Sequence, residues 1–137
     1  MGIVRRIGVL AAVAVVVPVA ITLTALEGGE VVVLRTRGSD GTPRETRTWI
    51  ADEDEGVWIE VADPERPFLR DVLAHPDLEL QRTGVWRRCR GALAQNPEGH
   101  ERIRRLLAVK YGWKDRWIGM LVDTSGSLAL RLGCETS

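Results

Sequence analysis

The chain is poor in the residues that build most reactive centres. Its 137 residues hold two cysteines, Cys89 and Cys134, and two histidines, His75 and His100. There is no CxxC and no metal-site spacing. Neither cysteine has a histidine partner in the pattern, which argues against a thiol nucleophile. Whether the two cysteines pair is a matter of geometry: Cys89 either packs as a core residue of its strand or bridges to Cys134 in an oxidising compartment. Lysine is scarce, 2 residues against 17 arginines, which fits a composition bias better than a demand for bidentate anion contacts. A basic excess is also missing. Residues 27–137 carry 17 bases and 19 acids, a net charge of −2, so no nucleic-acid partner is expected. There is no internal repeat and no low-complexity segment.

The most telling absence is local. From Ile7 to Leu26 no residue is charged, and the run is mostly Ala, Val, Leu and Ile. As a helix, those twenty residues reach about 30 Å, the thickness of a bilayer core. Pro18 inside the run is tolerated by membrane helices. A cleaved signal peptide would have a shorter apolar stretch and a small-x-small site, and Thr22-Leu23-Thr24 is a poor one. The reading is therefore an uncleaved membrane anchor over residues 1–26, a hinge at 27–29 and one domain over 30–137. The bilayer is the first expected partner. Arg5 and Arg6 argue for a cytoplasmic N-terminus, but Arg35, Arg37 and Arg44 follow the helix closely, so the side of the domain stays open.

The domain reads β-β-β-α-β-β-α-(α)-β. Residues 30–36, with three consecutive valines, suit a strand buried on both faces. Residues 38–43 are a dense turn signal. A second strand over 44–51 sets Arg44, Thr46, Thr48 and Ile50 on one face and Glu45, Arg47, Trp49 and Ala51 on the other. Asp52-Glu53-Asp54-Glu55 lacks the ligand spacing of a calcium loop and reads as a solvated turn. Residues 57–62 form a third strand. Phe68, Leu69, Val72 and Leu73 then take helical spacing behind Pro67, and this helix ends before Pro76. Strands are expected over 78–81 and 85–93, joined by Thr83-Gly84, with Cys89 on a face shared with Val85 and Leu93. Asn96-Pro97 marks a helix start, with Ile103, Leu106 and Leu107 as its apolar stripe and Arg102, Arg104 and Arg105 on solvated faces. Residues 113–121 suggest a short further helix, and 127–132 a last strand. Six antiparallel strands closed into a barrel would leave no exposed edge.

The order of elements over about residues 30–133, together with Thr36, Gly38, Gly41, Pro43 and Arg44 (T-x-G…G-x-P-R) and Phe68, Leu69, Ala74 and Pro76, resembles the flavin- and deazaflavin-binding split β-barrel superfamily. It is most similar to the F420-dependent nitroreductase and quinone reductase branch. The resemblance implies an α+β, mainly antiparallel six-stranded split barrel with two or three helices, preceded by one transmembrane helix. It implies F420 or FMN lying in a groove against the barrel. Arg47 and Trp49 would line the groove, with Arg44 a further phosphate contact. Val61, Ala62 and Asp63 would follow the ring edge. Arg66 and Phe68 would begin the phosphate-facing helix, where a helix N-terminus favours an anion. Two departures stand out. Asp63-Pro64-Glu65-Arg66 is shorter than the branch's basic glycine-rich loop and carries two acids, and Ser39-Asp40 stand where a lysine is expected.

Two functions follow. One is a membrane-anchored oxidoreductase reducing a lipophilic acceptor such as a quinone or nitro compound. The other is a non-catalytic binding or interaction module that has lost its cofactor, with a homodimer across the barrel face as one form. Of the five tryptophans, Trp49 is the best placed to stack on a cofactor; the rest read as core, rim or membrane-interface residues. Arg44 and Arg47 also read as surface residues paired with Glu60 or Glu45.

Overall fold

Ile50 divides what the pattern reads as a single strand. The computed structural model describes residues 2–54 and 56–136. Glu55 of the acidic turn and the side chain of Arg5 lie outside the described residues. Helix α1 (Gly2–Glu27) leads into β1 (Val31–Arg37) and β2 (Pro43–Trp49), and then β3 (Ala51–Glu53), β4 (Gly56–Val61) and α2 (Pro67–Ala74) follow. Next come β5 (Asp77–Arg82), β6 (Val85–Leu93), α3 (Glu98–Tyr111), α4 (Trp113–Leu121) and β7 (Leu128–Cys134).

The seven described strands form one antiparallel sheet in the order β2-β1-β5-β6-β7-β4-β3. β2 and β3 stand at its two ends, yet are adjacent in the chain through Ile50. The sheet therefore curls until its ends meet, and β2 comes beside β4 with no ladder between them. This seam is why the expected six strands are seven. A single straight strand over 44–51 would serve one end of the sheet only. Turning at Ile50 lets it serve both, and the turn buries Ile50 and Ala51 in succession instead of alternating them.

β1 departs from its expected double burial. Val32, Leu34 and Thr36 face the interior, while Val31, Val33 and Arg35 are half-buried on the outside. The interior holds Val32, Leu34, Ile59, Val61, Leu130 and Leu132, capped by Phe68, Leu69 and Val72 of α2. A second cluster packs Ile103, Leu107 and Tyr111 of α3 on Ala51, Trp58 and Ala129. At Gly91 on β6 a Cβ would come within 2.7 Å of Val72 Cγ1, so glycine lets α2 press onto the sheet. Thr83 (φ 50°) and Gly84 (φ 78°) both turn left-handed between β5 and β6, the signature of a two-residue I′ hairpin.

Several local expectations change. Val85 and Leu93 are exposed, because the ends of the nine-residue β6 outrun the packed core. α3 begins one residue late, at Glu98, and Asn96 Oδ1 still accepts the His100 N–H at 3.0 Å. Arg104 is not solvated. It makes paired bonds to Glu60 (3.0 and 3.1 Å) and to Asp115 (2.7 and 2.9 Å), tying α3 to β4 and α4. The acidic turn is not simply solvated either: Asp52 accepts from Arg82, and Glu53 from Arg102.

Candidate functional site

The eight residues assigned to the cofactor fall in three places. Register pairs Arg44 with Thr36, Thr46 with Leu34 and Thr48 with Val32, which puts Arg44 on the interior face of β2. Arg47 pairs with Val33 and Trp49 with Val31, on the outer face. Val61 is fully buried and Phe68 nearly so, both in the barrel interior. Ala62, Asp63 and Arg66 lie on the loop from β4 to α2, half-exposed or exposed.

Each group is tied locally. Arg44 Nε donates to Asp71 Oδ2 at 2.8 Å, and Thr36 Oγ1 donates to the same oxygen at 2.9 Å. Asp71 lies on α2 and is 7% exposed. Neither Glu60 nor Glu45 is Arg44's partner: Glu60 belongs to Arg104, and Glu45 accepts from Arg35. Trp49 stacks on Tyr111, with ring centroids 4.5 Å apart and planes at 23°, and its Nε1 donates to the Leu26 carbonyl at 3.4 Å. In the loop, Asp63 Oδ1 accepts the Glu65 N–H, and the Asp63 carbonyl accepts the Arg66 N–H.

A polar knot fastens the barrel closure. Tyr111 Oη donates to the Ile50 carbonyl (2.6 Å), and Lys110 Nζ donates to the same oxygen (2.8 Å). Lys110 also reaches Glu30, and Arg82 bonds both Glu30 and Asp52. The Arg82 bond holds the Glu30 carboxyl below its ordinary range, against the opposing effect of burial, and Asp52 is held low by the same arginine. Burial pushes the Tyr111 hydroxyl up. Tyr111 is thus a closing bolt for the barrel, a role that nothing in the local sequence pattern marks.

A groove of about 720 Å³ lies where the assignment placed nothing, a volume within the usual range of ligand sites. It runs between the β1–β2 hairpin, the start of β5, the middle of β6 and the end of β7, with Arg35, Arg37, Arg88 and Arg90 and the acids Asp77, Glu79 and Glu135 on its walls. Arg35 is held by Glu45 and Glu79 and lies 3.9 Å over the Trp86 ring, while Arg90 pairs with Asp77. Arg37 and Arg88 are exposed and make no ion pair among the described residues. Beside the groove, Cys89 and Cys134 sit opposite each other on β6 and β7 and form a disulfide, with Cα atoms 4.0 Å apart. The question left open by the sequence is settled by register: neighbouring strands bring the pair together.

Three features count against a flavin-type cofactor with an anionic tail. At the start of α2, Asp63 and Glu65 outnumber Arg66, and like charge repels phosphate. Arg44 is taken by a buried carboxylate and faces away from Arg47. One face of Trp49 is covered by Tyr111.

No family model matches the chain, and no curated protein does. Solved structures do. A putative pyridoxamine 5'-phosphate oxidase from Listeria innocua is 15% identical, over 83% of this chain and 90% of its own, with a TM-score of 0.58. An F420 reductase is 19% identical, over 78% and 87%, at 0.53. An FAD-binding protein from Mesorhizobium loti is 18% identical, over 83% and 87%, at 0.54. The fold is the split barrel. Identity this low carries the architecture and leaves the activity to the residues.

Proposed function

We propose that this chain is a non-catalytic split-barrel binding module tethered to a membrane, with its domain on the oxidising side. The observation that carries the first half is the capture of Arg44 by the buried Asp71. One of the side chains expected to meet a cofactor anion is spent on joining α2 to β1 and β2. What the module offers instead is the groove, in which Arg37 and Arg88 would meet a negatively charged group on its ligand.

Tethering is supported by α1. Its residues Arg6–Glu27 form a helix long and apolar enough to cross a membrane. Ile7, Leu10, Val15 and Val16 are each more than 60% exposed, a surface that water would not leave uncovered. The two threonines in the span return their hydroxyls to the backbone, Thr22 to the Pro18 carbonyl and Thr24 to that of Ala20, so neither brings an unpaired donor into lipid. The Cys89–Cys134 disulfide supports an oxidising compartment, and Arg5 and Arg6 ahead of the uncharged run support the same orientation.

A second reading is favoured by the fold: a membrane-anchored oxidoreductase that uses F420 or FMN to reduce a quinone or nitro compound. Arg47 and Arg66, both exposed, would then hold phosphate, and Ala62 and Asp63 would meet the ring edge. The cofactor would supply the hydride chemistry, and the chain would position it. Fluorescence titration of the full chain, in mild detergent, with FMN and with F420 separates the two. The module reading expects no saturable change with either; saturable uptake of one overturns it.

A further inference from the structure

Helix α4 sits beside the end of the anchor. Trp117 Nε1 donates to Thr22 Oγ1 at 2.9 Å, and Lys114 Nζ reaches the Gly28 carbonyl. These two bonds hold α4 against the last turns of the apolar span. Leu26 ends the uncharged run, and Thr22 lies four residues inside it, about 6 Å deeper along the helix axis. Ala25, on the same stretch, is fully buried.

The outward face of α4 is apolar where it is expected to be polar. Trp113, Trp117, Met120 and Leu121 follow i, i+4, i+7, i+8 spacing, one face of a helix. Trp113 is 47% exposed, Met120 72% and Leu121 58%. The helix's one acid is turned away: Asp115 is buried against Arg104. Lys114 and Arg116 are therefore the only charges α4 shows outward. Asp123, just beyond it, accepts the Ser125 N–H in the turn that leads back to β7.

We propose that α4 is an interfacial helix, lying in the headgroup layer of the leaflet that α1 enters, with Trp113, Trp117, Met120 and Leu121 in the acyl boundary and Lys114 and Arg116 on anionic headgroups. The occupant of the exposed face is the bilayer, because the face is continuous with the span and at its depth. Interfacial helices bury their apolar side about 5–10 Å into this boundary, which matches the level set by Thr22. Tryptophan favours the same layer. The consequence is a fixed domain: with α1 and α4 both in one leaflet, the barrel cannot swing about Gly28-Gly29. β1 starts at the anchor and ends at the groove, about 20 Å away along the strand, so the groove is held facing away from the lipid.

This inference rests on α1 spanning the membrane, and the test separates the two. The full chain is reconstituted in vesicles of phosphatidylcholine with a minority of phosphatidylglycerol, with or without bromine on the upper acyl chain. After an alkaline carbonate wash, a chain found in the supernatant overturns the anchor and α4 docking together. In retained chain, bromine is expected to quench tryptophan emission, and W113F/W117F to reduce that quenching about twofold, with Trp49 supplying the remainder. Unchanged quenching in the double variant overturns the docking and leaves the anchor standing. Because Trp117 is part of the packing, M120W provides a second reporter at a residue that is already exposed. Its emission is expected to be quenched by bromine and shielded from acrylamide. Free acrylamide access in vesicles overturns the proposal and leaves the face to a protein partner.

Discussion

Replacing Arg44 with alanine separates a structural arginine from a ligand-binding one. Asp71 Oδ2 has two donors, Arg44 Nε at 2.8 Å and Thr36 Oγ1 at 2.9 Å, and the acid is 7% exposed. Losing the charged donor removes a bond of the stronger class, about 1.5–3 kcal/mol, and leaves the carboxylate with one neutral donor. The Arg44 side chain is 46% exposed, so solvent screens part of the pair and the lower half of that range applies, about 2 kcal/mol. For a domain near 110 residues this lowers Tm by roughly 8–12 °C. Thermal unfolding of the full chain in detergent, followed by near-UV circular dichroism, measures it. R44K, which keeps the charge, should fall between wild type and R44A. D71N combined with R44A should cost less than the sum of the two single changes, because they share one contact. An R44A chain with Tm within about 2 °C of wild type would refute the reasoning, since no buried partner would then depend on Arg44.

Three further outcomes follow from the geometry. G91A forces a Cβ to within 2.7 Å of Val72 and should cost about 1–3 kcal/mol by overpacking, seen as a lower urea midpoint. Glu30 and Asp52 are held below their ordinary values of 4.5 and 3.8 by Arg82, so the stability they contribute is complete above those values and is lost as pH falls through the lower, folded ones. E30Q should flatten that acid limb in a pH series of melting curves. Non-reducing alkylation should find no free thiol, and reducing the Cys89–Cys134 bridge, which spans 45 residues, should destabilise the domain by about 2–4 kcal/mol in denaturant unfolding.

The elements were legible in the sequence, and the long-range partners were not. Helix α2 followed from Pro67 and the spacing of Phe68, Leu69 and Val72, and the hairpin at Thr83-Gly84 from turn chemistry; both are local signals. The split at Ile50 was hidden because residues 44–51 alternate as well as any single strand. Only closure of the sheet, a property of all its strands, requires the turn there. Alternation did place Arg44 and Arg47 on opposite faces of β2, as the register has them. What decided the candidate site was the identity of each arginine's partner. Asp71 is 27 residues from Arg44 and Glu60 is 44 from Arg104, distances at which spacing says nothing. The disulfide and the groove had the same origin, since both depend on β6 and β7 being neighbours.

The central claim is that the barrel's expected cofactor contacts have become part of its own structure. Native mass spectrometry of the full chain, released from detergent after incubation with excess FMN and, separately, excess F420, tests it most directly. The account predicts the unliganded mass in both samples. A peak heavier by one cofactor, retained in wild type and lost in R47A/R66A, would contradict it and establish the barrel as a cofactor-binding protein.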